Sequence, residues 1–184
     1  MATDPSLNNL QRKVNRYQEV LENTQQYRKA WKAYLQDFIS GQLETTVAAV
    51  GLQATVELRD GIDNLEAVAL SLGNVKSGMA TEVAENIHRD LIKHNGTLVY
   101  QQLFNGKIIV MIQYPFIENY GEPRPPKTIA IYRPEELKEP FFVRHLEQFI
   151  DEITAWEDYD DDNNGEPNQR IGFKLNFDTP EGGK

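Results

Sequence analysis

Residues 6–40 contain neither glycine nor proline, and apolar side chains recur through them in alternating steps of three and four: Leu7, Leu10, Val14, Tyr17 and Leu21. After polar breaks at Thr24 and Arg28 the same register resumes at Trp31, Leu35 and Phe38. This spacing predicts a long amphipathic helix carrying the seam of a coiled coil, a stripe that another surface must cover. Asp4-Pro5 supplies a cap-like start with proline just inside it. Tyr27, Tyr34 and Ile39 widen the stripe in the second half, which is expected to lie on the body of the protein. The first half is thinner in apolar residues and richer in Asn and Gln, the composition of a projecting arm. Gly41 is a candidate bend, with the helix resuming through Leu43, Val47 and Val50 before Gly51.

Two strands are expected next. Leu52, Ala54, Val56 and Leu58 alternate with polar residues, residues 59–64 read as a turn, and Glu66 to Leu72 reads as the return strand. After a loop over Gly73 to Gly78, the spacing of Met79, Val83, Ile87 and Leu91 predicts a second helix, stopped at His94-Asn95-Gly96. Asn105-Gly106 between Thr97–Phe104 and Lys107–Tyr114 predicts a two-residue type I′ hairpin, in which Leu103 faces Ile108, Gln101 faces Val110 and Val99 faces Ile112. Phe104, Ile109, Tyr100, Met111 and Leu98 would then share the other face. Both faces are largely apolar, so each needs a cover, from the chain's own helices or from another subunit. Residues 115–127 hold four prolines and are expected to form an extended, exposed loop. A short strand over Thr128 to Tyr132 precedes a closing helix with Phe142, Leu146, Phe149, Ile150, Ile153 and Trp156 on one side. The tail is polar and acidic, with one further strand suggested over Ile171 to Phe177.

The fold class that follows is α+β: an antiparallel sheet of about five strands packed by helices, with a long N-terminal amphipathic helix. The organisation read from it is an arm over residues 1–45, an α+β body over 46–157 and an acidic tail over 158–184. A hydrophobic fraction of 40 % suffices for a true core, and the absence of cysteine removes disulfides and thiolate chemistry. No apolar run approaches the roughly 18 residues needed to cross a bilayer, so a soluble, cytoplasmic protein without a membrane partner is expected.

Charge is polarised along the chain. Residues 1–40 carry six basic and four acidic residues, whereas residues 157–184 carry eight acidic and three basic ones. With a pI near 4.9, nucleic acid is not an expected partner.

Catalytic patterns are weak. His88 and His94 lie six residues apart, off a common helical face, and the single pair Glu85/His88 lacks the second Glu-x-x-His that a diiron site needs. His145 reads as lying off the apolar stripe of its helix. Asp160, Asp162, Asn164 and Gly165 match the first half of a calcium loop, but Ile171 stands where the bidentate glutamate belongs. No nucleophile elbow, phosphate loop or acid/base pair is visible. The sequence therefore predicts no enzyme, no cofactor and no metal.

Binding to protein is the expectation that remains, to itself or to other protein subunits. Leu7, Leu10, Val14, Tyr17 and Leu21 on the arm, and Phe116, Tyr120 and Arg124 in the proline-rich loop, are the candidate contacts, since aromatic and arginine side chains anchor interfaces. The functional expectation is a non-enzymatic structural or assembly protein, a homo-oligomer or a subunit of a large complex, of which a virion component is one concrete form. The alternative is a small soluble regulatory or inhibitory binding module. In a ligand-binding variant of that alternative, Tyr100, Met111, Tyr114 and Tyr132 would line a pocket.

Overall fold

The computed structural model describes residues 5–84 and 87–158. A single helical rod opens the chain: α1 (Pro5–Ala30), one π-turn (Trp31–Leu35) and α2 (Gln36–Val50), ended by Gly51 in the left-handed conformation. Gly41 does not interrupt it. The residues that α2 and the π-turn bury are Trp31, Leu35, Ile39, Leu43 and Val47, one every fourth position. Steps of four drift by about 40° per step around an α-helix. The π-turn, in which the Gln36 amide donates to the Trp31 carbonyl, inserts an extra residue at the start of this row. As expected, the second half of the helix packs on the body, although Tyr34 stays 49 % exposed.

Eight strands follow: β1 (Thr55–Arg59), β2 (Ala67–Ser71), β3 (Asn74–Ala84), β4 (Ile87–His94), β5 (Thr97–Gln102), β6 (Ile108–Gln113), β7 (Phe116–Ile117) and β8 (Lys127–Tyr132). They form a five-stranded antiparallel sheet in the order β1-β2-β5-β6-β8 and a three-stranded sheet in the order β3-β4-β7. A 3-10 turn (Pro134–Glu136) leads into α3 (Glu139–Glu157). The fold is thus α+β with a five-stranded sheet and a long N-terminal helix, as the sequence indicates. The suggested strand at 171–177 lies outside the described residues.

The helix expected over Met79 to Leu91 is instead the hairpin β3–β4. A spacing of four residues fits one face of a helix and equally one face of a strand, because four is a multiple of two. Val75, Thr81, Val83, Ile87 and Ile92, all β-branched, together with Gly78 decide for the strand. The ladder of β2 with β5 runs on without a change of register, since Ser71 pairs with Thr97 and Asn74 with His94. Between them the Leu72 amide donates to Gly96 and the Asn95 amide to Gly73. The hairpin is therefore the far end of one long ribbon.

The β5–β6 turn also departs from expectation. Only Gly106 in it has positive φ (75°), so the turn is type I followed by a glycine bulge. The Gly106 amide donates to Leu103 and the Leu103 amide to Lys107. This moves the register by one residue: Tyr100 pairs with Val110 and Leu98 with Ile112. The shift collects Leu98, Tyr100, Ile108, Val110 and Ile112 on one face, where the type I′ register would have split them between two.

That face, with Val68 and Leu70, forms the core with the buried row of the N-terminal helix and with Leu137, Phe142, Leu146, Phe149 and Ile153. The opposite face carries a smaller apolar cluster of Ala67, Ala69 and Val99, with Met111 packed against it. A buried carboxylate ties helix to sheet, as Glu66 accepts a 2.8 Å hydrogen bond from the Gln102 amide and lies 3.5 Å from Lys32.

Two glycines give opposite expectations. A Cβ at Gly106 would lie 2.6 Å from the Tyr27 Cβ and 3.0 Å from the Thr24 carbonyl oxygen. Gly106→Ala should therefore cost about 3 kcal/mol, combining a left-handed backbone with a clash against the helix. A Cβ at Gly41 meets nothing within 4 Å, so Gly41→Ala should stabilise by about 0.5–1 kcal/mol through helix propensity. Urea unfolding of both variants checks the pair.

Candidate interface and the buried polar cluster

The helix meets the hairpin turn at one place. Gly106 sits against Thr24, Tyr27 and Arg28, and the Arg28 guanidinium donates to the Phe104 carbonyl at 2.6 Å. On the N-terminal side of this landing, every side chain from Leu7 to Glu22 is exposed. Leu7 (59 %), Leu10 (56 %), Val14 (39 %), Tyr17 (63 %) and Leu21 (47 %) lie along one face, with Val20 (43 %) at its border. The structure brings these five candidate residues together as a continuous apolar strip. Two local side-chain contacts accompany it: Gln11, at its border, donates to Asn15 at 2.8 Å, and Arg16 pairs with Glu19 at 2.7 Å on the outer face.

The three loop candidates do not join that strip. Phe116 is in β7, half-buried and stacked on His94 at 4.3 Å between ring centroids. Tyr120 follows a turn closed by its own amide on Ile117. Arg124 places its guanidinium 4.0 Å from the centre of the Tyr114 ring. The segment is bound to the body near α3. The Tyr114 hydroxyl donates to Glu152 at 2.6 Å, and Lys127 donates to the other oxygen of the same carboxylate. Burial, and then the bond to Glu152, push Tyr114 up to about 12. For Glu152 burial alone acts upward, but the bonds from Lys127 and Tyr114 outweigh it and hold the carboxyl below its ordinary value. Lys93 adds a 2.6 Å pair with Glu157 and lies 5.5 Å from the Trp156 ring centre.

His145 is a correction to the sequence reading. It lies three residues after Phe142 and four before Phe149, so helical geometry puts it on the core face, where only 1 % of it is exposed. Its spacing was legible, but its polar type hides it from a search for apolar stripes. The Tyr100 hydroxyl lies 2.9 Å from Nδ1 and the Tyr132 hydroxyl 3.0 Å from Nε2. Burial, assisted by the neighbouring Arg144 cation, lowers its pKa to about 4. Burial likewise raises Tyr100 far above its ordinary value. A neutral imidazole has one N–H and one lone pair, so it donates to one tyrosine and accepts from the other. Phe141 and Phe142 stack on Tyr132 and Tyr100, which makes the cluster a satisfied polar knot within the core.

Other candidate sites fall differently. Tyr100 and Tyr132 share the knot, Tyr114 bonds to Glu152, and Met111 belongs to the cluster on the opposite sheet face. The four residues named for a ligand pocket therefore do not line one cavity. A groove of about 410 Å³ instead runs between Tyr34 and Phe38 of the helix and Pro134 to Pro140. Among the described residues no three His, Asp or Glu side chains cluster as metal ligands do, and no helix is long and apolar enough to cross a membrane. The calcium-like segment 160–165 lies outside the described residues.

The depressed pKa of His145 fixes a pH dependence. The unfolded histidine takes up a proton near pH 6.5 while the folded one stays neutral to about 4, so stability is lost as pH falls through that window. Between pH 6.5 and 4.5 the loss should be about 2–3 kcal/mol. It is read as the shrinking stability difference between wild type and His145→Gln in urea titrations at each pH. A constant difference would contradict it. No protein-family model, curated protein or solved structure matches this chain.

Proposed function

We propose that this chain is a non-enzymatic assembly protein, a subunit that joins others of a homo-oligomer or larger complex through its N-terminal helical arm. One observation carries the reading: a strip of five apolar side chains, from Leu7 to Leu21, is held on a formed helix and covered by nothing among the described residues. Fully burying a Leu or Val side chain contributes about 1.5–3 kcal/mol, so covering this strip is a substantial source of binding free energy. Exposed apolar strips of this kind mark sites where another protein docks. The buried titratable cluster supports the non-enzymatic part, because His145 is enclosed by Tyr100, Tyr132 and Phe141 and its chemistry is spent on hydrogen bonds within the core. The working compartment under this proposal is the cytoplasm or an assembled particle.

The alternative, a small regulatory or inhibitory binding module, is favoured by one feature, the groove between Tyr34, Phe38 and the Pro134–Pro140 segment. Its apolar walls and flanking Glu135, Lys138 and Glu139 suit a short peptide. It is the smaller claim, since the groove is open and the arm would have no part in it.

The two readings separate on a doubly substituted arm. Leu10→Asp with Tyr17→Asp changes only exposed positions and should leave the fold intact by circular dichroism. Tagged full-length protein, purified from the cells that make it and sized by light scattering, should exceed the 21.1 kDa of one chain. The double variant should fall to that mass. Wild type and variant both at the single-chain mass would refute assembly through the arm.

A further inference from the structure

Resting on that reading, we infer that the occupant of the arm's strip is a second copy of the same arm, laid antiparallel against it. The strip follows a heptad in which Leu7, Val14 and Leu21 occupy one core position and Leu10, Tyr17 and Thr24 the other. The residues bordering it on one side are Gln11, Gln18 and Gln25, and on the other Lys13, Val20 and Tyr27. The remaining charges of the arm, Arg12, Arg16, Glu19 and Glu22, fall on the outer face. These border positions normally carry the charges that choose a coiled-coil partner. A border of glutamines is uncharged, and each amide both donates and accepts, so it can face its own kind without repulsion. A foreign partner with charged borders would find only Lys13 to pair with. When the surface meets itself antiparallel, each border faces a copy of itself, and this border is suited to that.

The direction follows from where the strip ends. Its next two positions are Thr24 and Arg28, and both lie at the hairpin turn, where a Cβ at Gly106 would come within 3.0 Å of the Thr24 carbonyl oxygen and Arg28 is bonded to Phe104. A parallel neighbour continues past its own residue 24 and meets this turn and its own body at the same level. In an antiparallel neighbour it is the apolar strip that stops there, with its Leu7 beside Thr24 and its body at the far end of the arm. This arrangement sets Leu10 against Leu21 of the second copy and Val14 against its Tyr17, and it places Gln11 opposite Gln18 and Lys13 opposite Val20. No two like charges face each other. It also brings the start of the second arm to Phe104, which is 73 % exposed in the same turn.

The test uses the purified full chain alone, by sedimentation velocity across a concentration series. Dimerisation should appear below about 100 μM. Gln11→Glu with Gln18→Glu puts carboxylates opposite each other in two places and should weaken the dimer roughly tenfold. Gln11→Lys with Gln18→Lys should do the same, and mixing the two variants should restore pairing. A parallel pair would set Gln18 beside Lys13 of the second copy, so tightening by the Glu variant overturns the antiparallel arrangement. The chain has no cysteine, which permits a second readout. Leu10→Cys mixed with Leu21→Cys should give disulfide-linked dimers of one copy of each, while Leu10→Cys linked only to itself contradicts the proposal. A chain that stays monomeric alone also overturns it. If that chain still gains mass in native extracts through its arm, assembly survives with a different partner; if it gains none, both readings fall.

Discussion

A rod of three successive helical segments, 26, 5 and 15 residues long, is seated on one face of one sheet by Trp31, Leu35, Ile39, Leu43 and Val47, and everything else about this protein follows from how short that seat is. At 1.5 Å per residue the rod is about 69 Å long, while a body of this size is roughly 35 Å across. The rod cannot be buried along its length. Half of it organises the core, and the other half has to stand clear. The same packing fixes where the standing half begins, because Gly106 lets the β5–β6 turn approach the helix backbone at Thr24 to Arg28 as no other residue could.

The core beneath the seat is mixed in a way that constrains it further. Glu66, Gln102 and His145 are buried among large apolar side chains, and each has a hydrogen-bond partner, Gln102 through its Nε2 while its Oε1 has none. A buried polar group is costly only when unpaired. These pairings fix the geometry more strictly than apolar contact does, since Tyr100 and Tyr132 must both reach one imidazole from different strands. They tie β5, β8 and α3 to one register, and Lys32 extends the same logic to the helix through Glu66.

How much of this was legible in the residues depends on which period dominated. The rod was plain, because no glycine or proline interrupts residues 6–40 and the apolar steps keep one register across the polar breaks at Thr24 and Arg28. The central strands were equally plain from Val68–Leu70 and Ile108–Ile112. The β3–β4 ribbon was misread because steps of four satisfy helix and strand alike, and the decision lay in β-branching. The register of β5–β6 was missed because Asn-Gly serves two turn types, and the choice between them came from the core, which gains by gathering Leu98, Tyr100, Val110 and Ile112 on one face. His145 was missed for its polarity. Of the interface candidates, the arm residues do share one surface, whereas Phe116 stacks on His94, Tyr120 closes a turn on Ile117 and Arg124 lies over Tyr114, contacts that no apolar periodicity announces.

The state of the arm is itself a physical question. Nucleating a helix is the unfavourable step, and the buried half of the rod has already met that cost, so the arm only has to propagate from Thr24 outward. Propagation through Asn8, Asn9, Asn15 and Asn23 is weak by intrinsic preference. The pairs Gln11/Asn15 and Arg16/Glu19 are exposed to solvent and add little. Such a segment is a helix held near balance, stiff at its root and progressively less favoured toward Leu7. Covering its apolar strip tips that balance decisively, because the same side chains that gain by burial are aligned only when the backbone is helical. In the proposed assembly, ordering of the arm and its association would therefore be one coupled event.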